Sequence, residues 1–135
     1  MYQTKNNVFT FYSILLILHA LHILEEVWGN AFFIRTWYRS FRVYLVLEIT
    51  AYTIAVVLCY FTLRKNQLAH NVSYLYAGIM VFDGFYHGAI LLSQGKYFGG
   101  GAGAVTGLGL ITFGALLAHA LWREKYPPNQ KSIAT

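Results

Sequence analysis

The chain has 135 residues, of which 57% are hydrophobic, 18% aromatic and 11% charged, with a net charge of +5. That balance is too apolar for a soluble domain and points to an integral membrane protein. The ten Lys and Arg residues are scattered through loops and ends rather than gathered in a stripe, which excludes a nucleic-acid reader and leaves lipid headgroups as the counter-charge.

Four apolar stretches follow one another, at residues 8–28, 43–63, 72–92 and 102–122. Each is near the ~20 residues that a helix needs to cross ~30 Å of hydrocarbon. The sequence predicts an all-α membrane protein, an antiparallel bundle of four transmembrane helices filling residues 1–126 as one domain, with 127–135 a flexible tail. The first stretch, preceded by Asn6 and Asn7, carries His19, His22, Glu25 and Glu26 and is followed by no small-residue cleavage site, so it reads as a retained span rather than a signal peptide. Between spans one and two, Gly29–Arg42 mixes Phe32, Phe33, Trp37, Tyr38 and Phe41 with Arg35, Arg39 and Arg42, the composition of an interfacial helix or a lid. The second span holds Glu48, Tyr52 and the lone cysteine, Cys59, so no intrachain disulfide forms.

Asn71 precedes the third span, which holds Asp83 and His87. The run Gly99-Gly100-Gly101 leads into the fourth, where Gly103 and Gly107 have the spacing that lets helices approach closely. The run lacks the lysine and the strand-to-helix setting of a phosphate loop. Glu124 and the Pro127-Pro128 pair close the chain in its tail. Four spans put both termini on one side, with Lys5, Arg64, Lys65, Arg123, Lys125 and Lys131 against Arg35, Arg39, Arg42 and Lys96 opposite; the excess predicts cytoplasmic termini.

Four of the five acids, Glu25, Glu26, Glu48 and Asp83, thus lie inside apolar spans, and His22 and His87 sit beside them. A carboxylate there costs roughly 2.5–3.5 kcal/mol, which argues that they are used. At ~100° per residue one face of the first helix carries His22, Glu25 and Glu26, and Asp83 and His87 share a face of the third. Alternating spans bring the end of helix one, the start of helix two and the end of helix three to one membrane side. At ~1.5 Å per residue all six groups then lie within ~3–13 Å of that boundary. His19, a turn deeper than His22, reads as a supporting or core residue and Tyr52 as packing, while His70 and His119 fall at the opposite side.

Two histidines and four carboxylates supply the nitrogen and oxygen ligands that iron, manganese or zinc prefers. His22, Glu26, Glu48, Asp83 and His87 are the candidate metal ligands and Glu25 the candidate general base. Dimetal carboxylate bundles use Glu-x-x-His pairs. The order here differs, and helix four offers no ligand at that depth, so one metal fits as well as two.

His22-Ile-Leu-Glu25-Glu26-Val27-Trp28 resembles the signature of the HXXEE family of small bacterial membrane proteins. The likeness continues in Asp83-Gly-Phe-Tyr-His87 and Tyr97-Phe-Gly-Gly100, with Asp83 standing where that family carries asparagine. Membership would imply a bacterial inner-membrane location and a site at His22, Glu25, Glu26 and His87, without naming a reaction. Three functions stay open. The first is a metal-dependent enzyme, hydrolytic or oxidative, acting on a lipid-soluble or interfacial substrate. The second is a metal-free protein that binds or isomerises a lipid or sterol-like ligand, with Glu48 and Asp83 facing a cation. The third is an accessory subunit of a membrane complex that packs through the glycine face of helix four.

Overall fold

Continuous apolar runs of this length favour helix, which satisfies its own backbone hydrogen bonds in hydrocarbon, over the short alternating strands of a closed barrel. A computed structural model describes residues 2–31, 34, 36 and 38–125. It contains four helices, α1 (Tyr2–Trp28), α2 (Phe41–Leu63), α3 (Gln67–Gln94) and α4 (Ala104–Lys125), and no strand among the described residues. All four are long and apolar enough to cross a membrane.

The helix ends explain where the sequence-based boundaries shift. α3 begins five residues before the expected 72–92 span, because Asn66 rather than Asn71 is its cap: the Asn66 side chain accepts the Ala69 N–H at 2.9 Å. Asn71 instead lies inside the first turns and accepts from Gln67 at 3.3 Å. α4 begins at Ala104, two residues late, because Gly103 has φ +99° and no helix passes through that conformation. Glu124, expected past the fourth span, lies in the last turn of α4 and pairs with Lys65 at 2.9 Å.

Past α1 the chain turns on Asn30 at φ 53°, with Gly29 N–H donating to Glu25 O and Ala31 N–H to Glu26 O. Ala31 and Ile34 then pack with Tyr44 and Ala102, folding the linker onto the bundle end. Residues 32, 33, 35 and 37 of the expected interfacial helix, and the expected tail at 127–135, lie outside the described residues. The Gly99 N–H donates to Gly29 O at 2.8 Å and ties the α3–α4 loop to the α1–α2 loop. The two loops that border the polar residues are therefore one connected end.

Tyr12 and Leu15 of α1, Ala77 and Met80 of α3, and Leu110, Leu117 and Leu121 of α4 form the main core. α4 is the most enclosed helix and α2 the least, packing chiefly on α3 and α1. The α3–α4 contact is close because glycine faces glycine: a Cβ on Gly84 would strike the Gly107 carbonyl, and one on Gly114 would meet Ala77 O at 2.9 Å. Gly109 abuts Leu18 of α1. The α4 glycines are thus spent inside the chain, and the glycine face expected to receive a partner subunit is an internal contact.

Candidate metal centre

Rotation about α1 sorts its polar residues. His19, His22 and Glu26 recur at helical spacing and turn inwards, each less than a twentieth exposed. Glu25, one residue from Glu26, points ~100° away, toward α4. From α3, Asp83 and His87 one turn apart face the same interior space.

His22, Asp83 and His87 each place a ligand atom within 4.8 Å of the others. His22 Nε2 lies 2.9 Å from Asp83 Oδ2 and 3.3 Å from Glu26 Oε1. His87 Nε2 lies 2.9 Å from the same Glu26 oxygen and 3.8 Å from Asp83 Oδ1. The two imidazoles meet nearly edge to face, 4.8 Å between centroids and 81° between planes. Tyr44 of α2 donates a very short hydrogen bond to the other Glu26 oxygen, Oε2, and so fixes that carboxylate from behind.

α4 offers no ligand yet shapes the site. Gly103 stands directly behind both histidines: a Cβ there would lie 2.7 Å from His22 Cε1 and 2.8 Å from His87 Nδ1. Thr106, in the first turn, holds His22 Nδ1 at 2.8 Å from its hydroxyl oxygen. That hydroxyl also lies 2.5 Å from Glu25 Oε2, much closer than its other acceptor, Gly103 O, at 3.3 Å. Glu25 already accepts from Tyr97 Oη at 2.6 Å and from the Val105 and Thr106 backbone N–H groups at 3.0 and 2.8 Å, so the proton in the short bond is the threonine's. Its oxygen is left to accept from His22, which places a proton on Nδ1 and turns Nε2 toward the carboxylates. Nε2 is buried and has no hydrogen-bond partner of acceptable geometry, although two carboxylate oxygens approach it.

The expected residues therefore divide. His22, Glu26, Asp83 and His87 come together. Glu48 lines the same cavity but pairs with His19, Oε2 to Nε2 at 3.7 Å, and His19 is held in turn by the Tyr76 hydroxyl at 3.1 Å. Tyr52 packs edge-on against His19, as a packing residue would. Glu25, expected as general base, does not line the cavity. Its oxygens receive four donors at the start of α4, the place where a carboxylate best complements unpaired N–H groups and the helix dipole.

Sequence reasoning missed Thr106, Tyr44 and the placement of Gly103. A hydroxyl in an apolar helix looks like packing, and only the spacing of Tyr44, one turn before Glu48, gave a signal. Outside the spans, burial and then the neighbouring Glu25 carboxylate push the Tyr97 hydroxyl up to about 12. Burial, followed by the Glu48, Glu26 and Asp83 carboxylates, also raises Tyr38.

A cavity of about 540 Å3 extends from the cluster between α2 and α3, with α1 as its floor and Tyr38 at its edge. Asp83 is its most open polar wall, its side chain 34% exposed against 3% for His22 and 1% for His87. Comparison with protein-family models, with curated proteins and with solved structures finds no match for this chain.

Proposed function

We propose that this chain is an integral membrane protein, an antiparallel bundle of four spanning helices, that holds a divalent metal ion between His22, His87 and Asp83, with Glu26 completing the ligand set. One observation carries the reading. In a buried space His22 Nε2 and His87 Nε2 converge with the Asp83 and Glu26 carboxylates, which need positive charge among them, and a divalent ion held by all four groups supplies it in place of protons on the imidazoles. Two imidazoles and two carboxylates suit iron, manganese or zinc. The Glu25–Thr106–His22 chain is the outer support that metal-bound histidines commonly have.

Bound there, such an ion supplies a Lewis acid that lowers the pKa of water or polarises an oxygen of the substrate. The protein's own part is to hold both imidazoles, keep Glu26 fixed through Tyr44, and leave Asp83 facing the cavity. Glu48, paired with His19 on the cavity wall, takes the proton-transfer role, because every oxygen of Glu25 is committed to α4. The substrate is lipid-soluble and enters the cavity. The resemblance to the HXXEE family fits a bacterial inner-membrane location, and the basic residues fit cytoplasmic termini.

Elemental analysis of the purified protein, before and after reconstitution with iron, manganese or zinc, tests the reading. About one equivalent is expected, with loss of occupancy as pH falls toward the carboxylate range near ~4, where protons compete for the ligands. Metal-free protein after reconstitution would sink it. The cavity also supports a second reading, a metal-free binder in which Glu48 and Asp83 face a cationic ligand. Ligand binding indifferent to chelator would favour that alternative.

A further inference from the structure

The cavity wall changes character along its length. At one end it is His22, Glu26, Glu48, Asp83 and His87, with His19 and Tyr76 bonded to each other beside Glu48; from there it continues over Ala51, Ile54, Leu58, Val72, Leu75 and Ile79 with no charged group. The polar end uses the start of α2 and the end of α3, and the apolar arm uses the later part of α2 and the earlier part of α3. Polar and apolar ends are thus separated along the helix axes rather than across them.

From Asp83 back to Val72 the arm follows eleven residues of α3, roughly 16 Å at the helical rise. That is about half of the ~30 Å hydrocarbon thickness, the depth of one leaflet. On α2, Ala51 and Ala55 fall one turn apart on the cavity side, where larger side chains would close the space. Ile54, Leu75, Ile79 and Phe82 flank the opening and are each more than half exposed. The mouth therefore lies between α2 and α3 and faces the surrounding lipid, not water.

We propose that this apolar arm binds the hydrocarbon tail of a single-chain lipid, with the lipid's oxygen-bearing head placed against His22, Asp83 and His87. The tail lies parallel to its neighbours in the leaflet and enters sideways, so it never crosses water. One chain fits because the arm is walled by single faces of α2 and α3. Its volume, polar end included, is in the ~300–1,000 Å3 range of sites that hold one small ligand, less than a two-chain phospholipid requires. The head assignment rests on the metal reading above, since a bound cation attracts an oxygen donor and repels an amine; the tail site does not depend on it.

Photoreactive palmitic acid with a mid-chain diazirine, added to the protein in phosphatidylcholine vesicles, tests both parts. Adducts are expected on the cavity faces of α2 and α3, between residues 51–58 and 72–80, displaced by palmitic acid but not by hexadecylamine or cholesterol. Ala51→Trp and Ile79→Trp should each cut this labelling by about tenfold or more, with metal content as in the wild type. Val46→Trp, on an exposed part of α2 that does not line the cavity, should leave labelling unchanged. Adducts spread over exposed residues such as Leu68, Val105 and Leu108 without displacement would overturn the tail site, as would full metal content with no displaceable adduct. Displacement by the amine overturns the head assignment, and by cholesterol the single-chain assignment. Displaceable labelling of a protein that takes up no metal upholds the tail site and sinks the metal reading.

Discussion

At the scale of single residues, Gly103 and Thr106 are the groups on which the two histidines depend without either being a ligand. Gly103 combines a left-handed backbone with direct contact to both rings, so Gly103→Ala both strains the chain and displaces the imidazoles. A loss of about 1–3 kcal/mol in stability is expected from the backbone alone. Thermal unfolding in detergent, paired with elemental analysis, should show lower stability and lower metal content together; wild-type metal content would contradict the geometry. Thr106 keeps a proton on His22 Nδ1. Thr106→Val should weaken metal binding by roughly 10–100-fold, the range for groups that support a ligating histidine. Thr106→Ser keeps the hydroxyl and should restore affinity in a competition titration with a metal indicator, which a purely steric role for the threonine methyl would not allow.

At the scale of elements, the start of α4 is the joint on which the site hangs, because Glu25 caps it and Tyr97 caps Glu25. Glu25→Ala should leave two backbone N–H groups and the Tyr97 hydroxyl without the acceptor they share, with only the longer Gly103 bond remaining to the Thr106 hydroxyl, and destabilise the fold by about 1–3 kcal/mol or more. The contribution of Tyr97 is pH-dependent. Its hydroxyl is raised from 10 to about 12 in the fold, so the folded state keeps this proton more tightly than the unfolded chain does. The stabilisation is complete below pH 10 and is lost as pH rises from 10 through about 12. Unfolding temperature measured across that interval should fall more steeply for the wild type than for Tyr97→Phe; parallel curves would show that Tyr97 does not titrate with folding. The four helices themselves were legible in hydropathy, and the inward stripe of α1 in its spacing. The start of α3 was not, because the Asn66 cap starts the helix at Gln67, five residues before the apolar run. Nor was the parting of Glu25 from Glu26. Both fall on the same broad face of α1, and which neighbour each one meets depends on how α4 is set against that face, information that no single helix carries.

For the molecule as a whole, the proposed arrangement puts the polar cluster near one membrane surface and both termini at the other. Fusing a fluorescent protein or alkaline phosphatase to the C-terminus in a bacterial host should give fluorescence and no phosphatase activity; the reverse pattern would invert the topology. Helical rise converts residue number into height and predicts one layer for six acids and histidines, of which the structure gathers His22, Glu26, Asp83 and His87. Height does not anticipate the cavity, whose existence depends on the lateral gap between α2 and α3 and on two alanines whose smallness carries no signal in an apolar run. The division of labour among helices has a further consequence. The cluster histidines and their buttress belong to α1, α3 and α4, while the later half of α2, the least enclosed helix, supplies one wall of the arm and none of the gathered ligands. On the proposed reading, the cavity-facing residues Ala51, Ile54 and Leu58 of α2 can therefore be exchanged to alter what the cavity admits while the His22–Asp83–His87 group keeps its geometry, and sequence variation among related chains should concentrate there, a replaceable wall over a fixed cluster.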